Sequence, residues 1–249
     1  MSSAKLVFLF VASCLAAFGS VIVVPNANTS TAGGQTDTAD GTGDFRIQEL
    51  LGSGQFASIG GPILIDQFSY RAAPGTGPLP FTITSFNVYL STSSKFPNTS
   101  GPLMSTIFAD NVGPDNTLVY SGPFTANSPG CAGPAVCPFD VSVTFTTPFL
   151  YNPSQGRLLL DLNITGFTGG TGKFDSVSFV GPPSGTGGSI ATLDGGLLDA
   201  TGHVNFSGDI VQLRYTAIPE PASGVLVFMG AAALAVMRRR RASRLARLG

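Results

Sequence analysis

The sequence predicts an all-β protein whose body is a single, jelly-roll-like β-sandwich. Its 249 residues include 32 glycines and 18 prolines and are 43% hydrophobic but only 11% charged, a composition typical of turn-rich β proteins. From Phe45 onward, short apolar and β-branched runs recur between turn pairs such as Pro74-Gly75 and Gly113-Pro114. No segment of the body carries a sustained helical period, so we expect no long helix there.

The predicted strands follow these runs. In Val141 to Phe145 every second residue is apolar, which predicts one buried and one solvated face. Leu158 to Leu160 is continuously apolar, which predicts cover on both faces. Glycine pairs in the last third, including Gly187-Gly188 and Gly195-Gly196, predict wide loops. The candidate strands are Phe45–Leu51, Ile63–Tyr70, Phe81–Leu90, Thr117–Ser121, Phe139–Thr146, Arg157–Ile164, Phe174–Val180 and His203–Tyr215.

The N-terminus has the pattern of a secretory signal peptide. Lys5 precedes an apolar stretch from Leu6 to Phe18, and cleavage before Ser20 would make residues 1–19 the signal. Two alternatives are a retained anchor, because apolarity persists to Val24, and lipidation of Cys14. Residues 20–44 are rich in Asn, Thr, Ser and Gly, and they predict a flexible spacer before an ectodomain of residues 45–217.

The C-terminus combines three features in a fixed order. Pro219, Glu220 and Pro221 hold the chain extended, and the apolar residues 222–237 would form a transmembrane helix of roughly 24 Å. A cluster of arginines at 238–247 follows, beginning with Arg238, Arg239, Arg240 and Arg241. Because positive charge stays on the cytoplasmic side, the body would lie outside the inner membrane.

This order of elements over residues 218–249 resembles the PEP-CTERM sorting signal of Gram-negative bacteria. The resemblance implies recognition by an exosortase, a membrane protease-transpeptidase, and delivery to the cell surface or the extracellular polysaccharide. Phe45-Arg46-Ile47-Gln48-Glu49, Gly61-Pro62-Ile63 and the stretch from Phe108 to Gly113 also resemble the ectodomain of many PEP-CTERM proteins. That resemblance implies a secreted β-rich protein and supplies no catalytic residues. The alternative for the tail is a permanent membrane anchor.

Charge and cysteine content narrow the possible partners and compartment. Residues 21–217 carry six basic and thirteen acidic side chains, a formal charge of −7, which argues against nucleic acid as a partner. Cys131 and Cys137 lie in a Gly- and Pro-rich loop, and in an exported protein such a pair predicts a disulfide.

Catalytic motifs are scarce. His203 is the single histidine, which excludes a two-histidine metal site, and the chain has no tryptophan to stack on sugars. A glycosidase would need two paired carboxylates; the candidates are Asp161, Asp175, Asp140 and Glu49. Oxygen ligands for calcium cluster at Asp37, Asp40 and Asp44, and at Asp110-Asn111 with Asp115-Asn116, but the same residues commonly fix turns.

The sequence therefore predicts an exported, non-enzymatic protein with a structural or adhesive role in the cell envelope or polysaccharide matrix, with no cofactor required. The alternative is a secreted carbohydrate-binding module or a weak glycan hydrolase, because β-sandwiches often present aromatic side chains to sugars.

Overall fold

The computed structural model describes residues 19–38, 43–133, 135–169, 172–179 and 188–218, and it confirms the all-β prediction. Its helical elements are α1 (Phe108–Asn111) and the 3-10 turns Asn26–Asn28 and Ser53–Phe56. The strands are β1 (Ser20–Val24), β2 (Gln35–Thr38), β3 (Gly43–Leu51), β4 (Ile63–Tyr70), β5 (Leu79–Ser93), β6 (Thr117–Ser128), β7 (Val141–Tyr151), β8 (Arg157–Gly169), β9 (Lys173–Ser178), β10 (Ile190–Gly196), β11 (His203–Asn205), β12 (Ser207–Asp209) and β13 (Val211–Ala217).

The strands form three antiparallel sheets. Their orders are β1-β13-β4-β7, β11-β10-β3-β8-β5-β6 and β12-β9-β2. The four-stranded and six-stranded sheets contribute to one main core, in which Phe68 of β4 and Val143 of β7 cluster with Leu162 of β8. A smaller cluster that includes Leu159 and Phe108 covers the other face of the six-stranded sheet.

Several predicted strands are confirmed. Strand β4 begins at Ile63 and ends at Tyr70, as predicted. In β7 the predicted alternation places Val141, Val143 and Phe145 in the main core. In β8, Leu158 and Leu160 belong to the main core while Leu159 belongs to the smaller cluster, so the strand is covered on both faces as predicted.

Two predictions about the last third of the chain were wrong. The segment His203–Tyr215 is divided among β11, β12 and β13. Gly195 and Gly196 end β10 and pair with Arg46 and Phe45 of β3, where a loop was expected. A Cβ on Gly195 would lie 3.3 Å from the ring of Phe108, so glycine lets this ring pack close to the strand.

The flexible spacer predicted for residues 20–44 was also wrong for the residues described. Strand β1 pairs with β13 from Ser20↔Tyr215 to Val24↔Val211, and Val24 is fully buried. Strand β2 pairs with β9. The apolar residues up to Val24 fell in the predicted spacer and were otherwise considered only as part of a retained anchor. The polar residues after it lack periodicity because hydrogen bonds, rather than apolar burial, fix them to the body.

A buried ion pair between Arg71 and Asp175 connects the segment between β1 and β2 to the body. The Nε of Arg71 donates to Asp175 Oδ2 at 2.8 Å, and both side chains are fully buried. Arg71 Nη2 donates to the carbonyl oxygens of Asn28 at 3.0 Å and Thr31 at 2.8 Å. The N–H of Gly33 donates to Asp175 Oδ1 at 2.9 Å, and a Cβ on Gly33 would collide with the Ser176 carbonyl. The backbone of the segment between β1 and β2 is therefore hydrogen-bonded to both members of the buried ion pair.

The predicted disulfide between Cys131 and Cys137 is present, with Cα atoms 5.6 Å apart. Cys137 is buried and packs in the main core, and the carbonyl of Cys131 accepts the N–H of Gly75 at 3.1 Å. The bridge thus fixes the loop between β6 and β7 against the turn after β4.

No helix in the described part of the chain is long and apolar enough to cross a membrane. The predicted signal peptide falls on residues 1–18 and Gly19, and only Gly19 is described. Of the predicted sorting tail, only Ile218 is described; Pro219, Glu220, Pro221 and the arginine cluster lie outside the described residues.

Replacing one partner of the buried ion pair should be far more damaging than replacing one partner of an exposed pair. Arg71→Met leaves Asp175 buried without its cation, and we expect the free energy of unfolding to fall by about 3 to 5 kcal/mol. Asp66→Asn breaks the Arg214–Asp66 pair, whose side chains are 39% and 36% exposed, and should cost at most about 1 kcal/mol. Urea unfolding of both variants would measure the difference; equal losses would contradict the role assigned to Arg71.

Candidate ligand-binding site

A cavity of about 360 Å³ lies inside the fold, lined by both large sheets. Phe81, Phe86, Phe124 and Phe167 line it from the six-stranded sheet, and Phe68 with its neighbours lines it from the four-stranded sheet. Protein interiors rarely contain voids much larger than a water molecule. This volume instead lies in the range of sites that hold small ligands.

The phenyl rings form a connected wall. Phe81 stacks on Phe167 with centroids 5.3 Å apart and an interplanar angle of 26°, and it approaches Phe124 at 5.9 Å. Phe86 lies 5.8 Å from Phe124. Ring pairs at such distances and angles stabilise the wall beyond the apolar area that they bury.

The opposite end of the cavity is acidic. Glu49 of β3 and Asp209 of β12 line it, together with Asp37 of β2 and Asp194 of β10. Asp37 and Asp194 are exposed, whereas Glu49 is only 3% exposed. The cavity therefore reaches solvent at its acidic end, with two aspartates at the mouth and two carboxyl groups deeper inside.

Burial makes the Glu49 carboxyl group a weaker acid than it would be in water. It raises the pKa of Glu49 to about 7, and the charge of Asp37 adds to the rise. A 2.5 Å hydrogen bond donated by Tyr70 Oη and one donated by the Asp209 N–H act in the opposite direction. Burial also raises the pKa of Asp209 well above its ordinary value, with the charges of Glu49, Asp37 and Asp175 contributing. The pKa of Glu49 therefore lies near neutral pH, and that of Asp209 is shifted in the same direction.

The two inner carboxyl groups have no cationic partner among the described residues. The ion pairs among the described residues are instead Arg46 with Asp161, Arg71 with Asp175 and Arg214 with Asp66. Asp209 is partly exposed as a residue, but its Oδ1 is buried and accepts no hydrogen bond within the described part of the chain. The acidic end thus has capacity to accept hydrogen bonds that the protein leaves unused.

The four carboxylates predicted as a possible glycosidase pair are not brought together. Asp161 lies opposite Gln48 in the β3–β8 ladder and binds Arg46, so it is on the face covered by the smaller cluster, while Glu49 faces the main core. Asp175 is bound to Arg71, and Asp140 accepts a hydrogen bond from Ser128 Oγ at 2.9 Å. The neighbour of Glu49 is Asp209, which sequence reasoning missed because Ser207–Asp209 was placed inside one long strand.

The predicted calcium ligands mostly fix backbone turns. Asp115 accepts hydrogen bonds from the N–H and Oγ1 of Thr92, at 2.7 and 2.6 Å. Asp44 accepts the Gly166 N–H at 2.9 Å, and Asp110 accepts from Ser105 Oγ at 3.1 Å. Asp40 lies outside the described residues. Among those described, no group of three or more His, Cys, Asp or Glu side chains is placed to hold a metal ion.

The described surface offers little for stacking on sugars. Each Phe and Tyr in the described ranges is buried or half-buried, and His203 is exposed at the start of β11. Several of the aromatic side chains instead line the cavity, where an extended polysaccharide has no room.

Glu49 should make the protein less stable as pH rises. Its pKa is about 7 in the folded state and 4.5 when unperturbed, so between these values the folded protein retains a proton that the unfolded chain loses. The stabilisation is complete below pH 4.5 and is lost by pH 7, roughly 3 kcal/mol in all. Glu49→Gln should show a smaller decline and exceed the wild type in stability at pH 8. Urea unfolding from pH 4.5 to 8 would test this, and an unchanged pH profile would contradict it.

The cavity should tolerate a larger side chain where the adjacent core does not. Leu162 lines the cavity, whereas Leu160, two residues earlier on the same face of β8, is fully buried and does not. Leu162→Phe should leave the free energy of unfolding unchanged or raise it by up to about 1 kcal/mol, since it fills space. Leu160→Phe should lower it by about 1 to 3 kcal/mol through overpacking. Equal losses in thermal and urea unfolding would mean that no cavity exists.

Comparison with known proteins adds no further information on this site. No protein-family model matches the chain, and neither a curated protein nor a solved structure matches it.

Proposed function

We propose that the chain is an exported, non-enzymatic protein of the cell envelope or extracellular matrix, sorted by a C-terminal PEP-CTERM signal. Its body would be a single, jelly-roll-like β-sandwich with a structural or adhesive role in the polysaccharide matrix. The supporting observation is where the folded strands begin and end. Strand β1 starts at Ser20, the residue after the predicted cleavage site, and β13 ends at Ala217, two residues before Pro219.

The ends of the body are also neighbours. Strands β1 and β13 are antiparallel, and Ser20 is paired with Tyr215. Ile218 remains attached to the body because its N–H donates to the Pro62 carbonyl at 3.1 Å. A leader before Ser20 and a tail after Ile218 would therefore leave the body at the same side of one sheet. This geometry suits a protein that approaches the membrane through both termini.

The tail would then act as a temporary anchor. The apolar residues 222–237 would hold the protein in the inner membrane, with Arg238 to Arg241 on the cytoplasmic side. An exosortase would act at Pro219 to Pro221, directly beyond the last strand, and release the body to the cell surface. The Cys131–Cys137 disulfide supports the proposal, because such bonds persist in oxidising compartments outside the cytoplasm.

Mutation of the motif would test this proposal. We expect the wild-type protein recovered from the cell surface to lack residues 222–249. The triple variant Pro219→Ala, Glu220→Ala, Pro221→Ala should keep them and remain in the inner-membrane fraction, because the recognised peptide is lost. Mass spectrometry of the C-terminal peptide would measure both. Ser243→Ala, beyond the motif, is the control and should be processed as the wild type is.

Two results would contradict the proposal. Unchanged processing of the triple variant would mean that the motif is not read. Wild-type protein that retains Arg238 to Arg241 after delivery would mean that the tail is a permanent anchor.

A further inference from the structure

We propose that the cavity between the two large sheets binds a small apolar molecule that carries a cationic amino group. The ammonium group would lie against Glu49 and Asp209, and the apolar part would lie among the phenyl rings of Phe81, Phe86, Phe124 and Phe167. This inference goes beyond the proposed function and does not depend on how the protein is sorted.

The volume and the lining of the cavity indicate the size and the apolar character of the ligand. The cavity of about 360 Å³ equals the bulk volume of about a dozen water molecules. Its inner part is lined by Phe, Ile, Leu and Val side chains from β3 to β9, which offer water no hydrogen bonds. An alkyl or aryl group of about ten non-hydrogen atoms would replace that water and gain contact with the rings on all sides.

The acidic end determines the head group. Asp209 Oδ1 is buried without a hydrogen-bond partner in the described residues, and Glu49 Oε2 accepts from Tyr70 Oη. An ammonium group has three donors and a positive charge, which suit a cavity end lined by carboxyl groups that can accept further hydrogen bonds. A carboxylate or phosphate head group would be repelled by Glu49 and Asp209, and by Asp37 and Asp194 at the mouth.

No side chain of the described residues already fills this role. The guanidinium of Arg71 is bound to Asp175 and to backbone carbonyls, and those of Arg46 and Arg214 pair with Asp161 and Asp66. The exposed Asp37 and Asp194 line the mouth, where negative charge raises the local concentration of cations.

Three probes with the same alkyl chain isolate the head group: n-octylamine, octan-1-ol and octanoate. Titration calorimetry with protein isolated from the cells that export it, at pH 8 and low salt, should rank the affinities in that order. Charge-assisted hydrogen bonds at the acidic end predict an advantage of about tenfold or more for the amine over the alcohol. Octylamine should also bind more weakly at pH 5.5, where Glu49 is protonated.

Variants separate the head-group contact from the apolar cavity. Glu49→Gln and Asp209→Asn should each weaken octylamine about tenfold or more and leave octanol unchanged. Leu162→Phe should weaken both probes, because it occupies the apolar part. Asp66→Asn removes a carboxylate that does not line the cavity and should leave both affinities unchanged.

Four outcomes would overturn the proposal. They are no octylamine binding to the folded wild-type protein, equal affinity for octylamine and octanol, stronger binding of octanoate, and octylamine binding that neither carboxamide variant weakens. Thermal unfolding of each variant in parallel would show that it is folded when its affinity is measured.

Discussion

The buried Arg71–Asp175 ion pair is the constraint on which the arrangement of the smaller elements depends. Asp175 accepts from Arg71 and Gly33 through its side chain, and its backbone N–H donates to the Arg71 carbonyl. Its carbonyl accepts the N–H of Ile210, the residue directly after β12. One residue thereby joins the end of β4, the segment after β1, and the small sheet that contains Asp209. The pair therefore fixes the N-terminal segment and helps to hold Asp209 beside Glu49.

The buried acids Asp175 and Glu49 differ in whether a cation compensates their charge. The charge of Asp175 is compensated by Arg71, whose guanidinium lies 4.8 Å from the ring centroid of Phe139. Glu49 has a tyrosine hydroxyl and a backbone N–H but no cation among the described residues, so burial raises its pKa to about 7. A structural carboxylate gains little by remaining uncompensated. This difference, together with the adjoining cavity, is why the Glu49–Asp209 end is a candidate for ligand binding.

Local signals in the sequence predicted the long strands and the disulfide, because alternation and turn residues act over a few positions. Even the buried position of Glu49 could have been recognised, since Phe45, Ile47, Glu49 and Leu51 alternate onto one face of β3. Strand β10 was missed because its glycines were interpreted as a loop, although pairing with β3 and packing against Phe108 stabilise them. The Glu49–Asp209 pair was not predictable, because Asp209 is positioned by the pairing of β12 with β9, which no local pattern encodes.

The cavity and the proposed sorting tail use separate parts of the fold. None of the residues that line the cavity belongs to β1 or β13, the strands that carry the two ends of the body. Cleavage after β13 would therefore leave the cavity walls and both inner carboxyl groups in place. The anchored and released forms should then have the same affinity for a ligand, because the residues that line the site lie in β2 to β12. A ligand could accompany the protein from the membrane to the cell surface without affecting the processing of its tail.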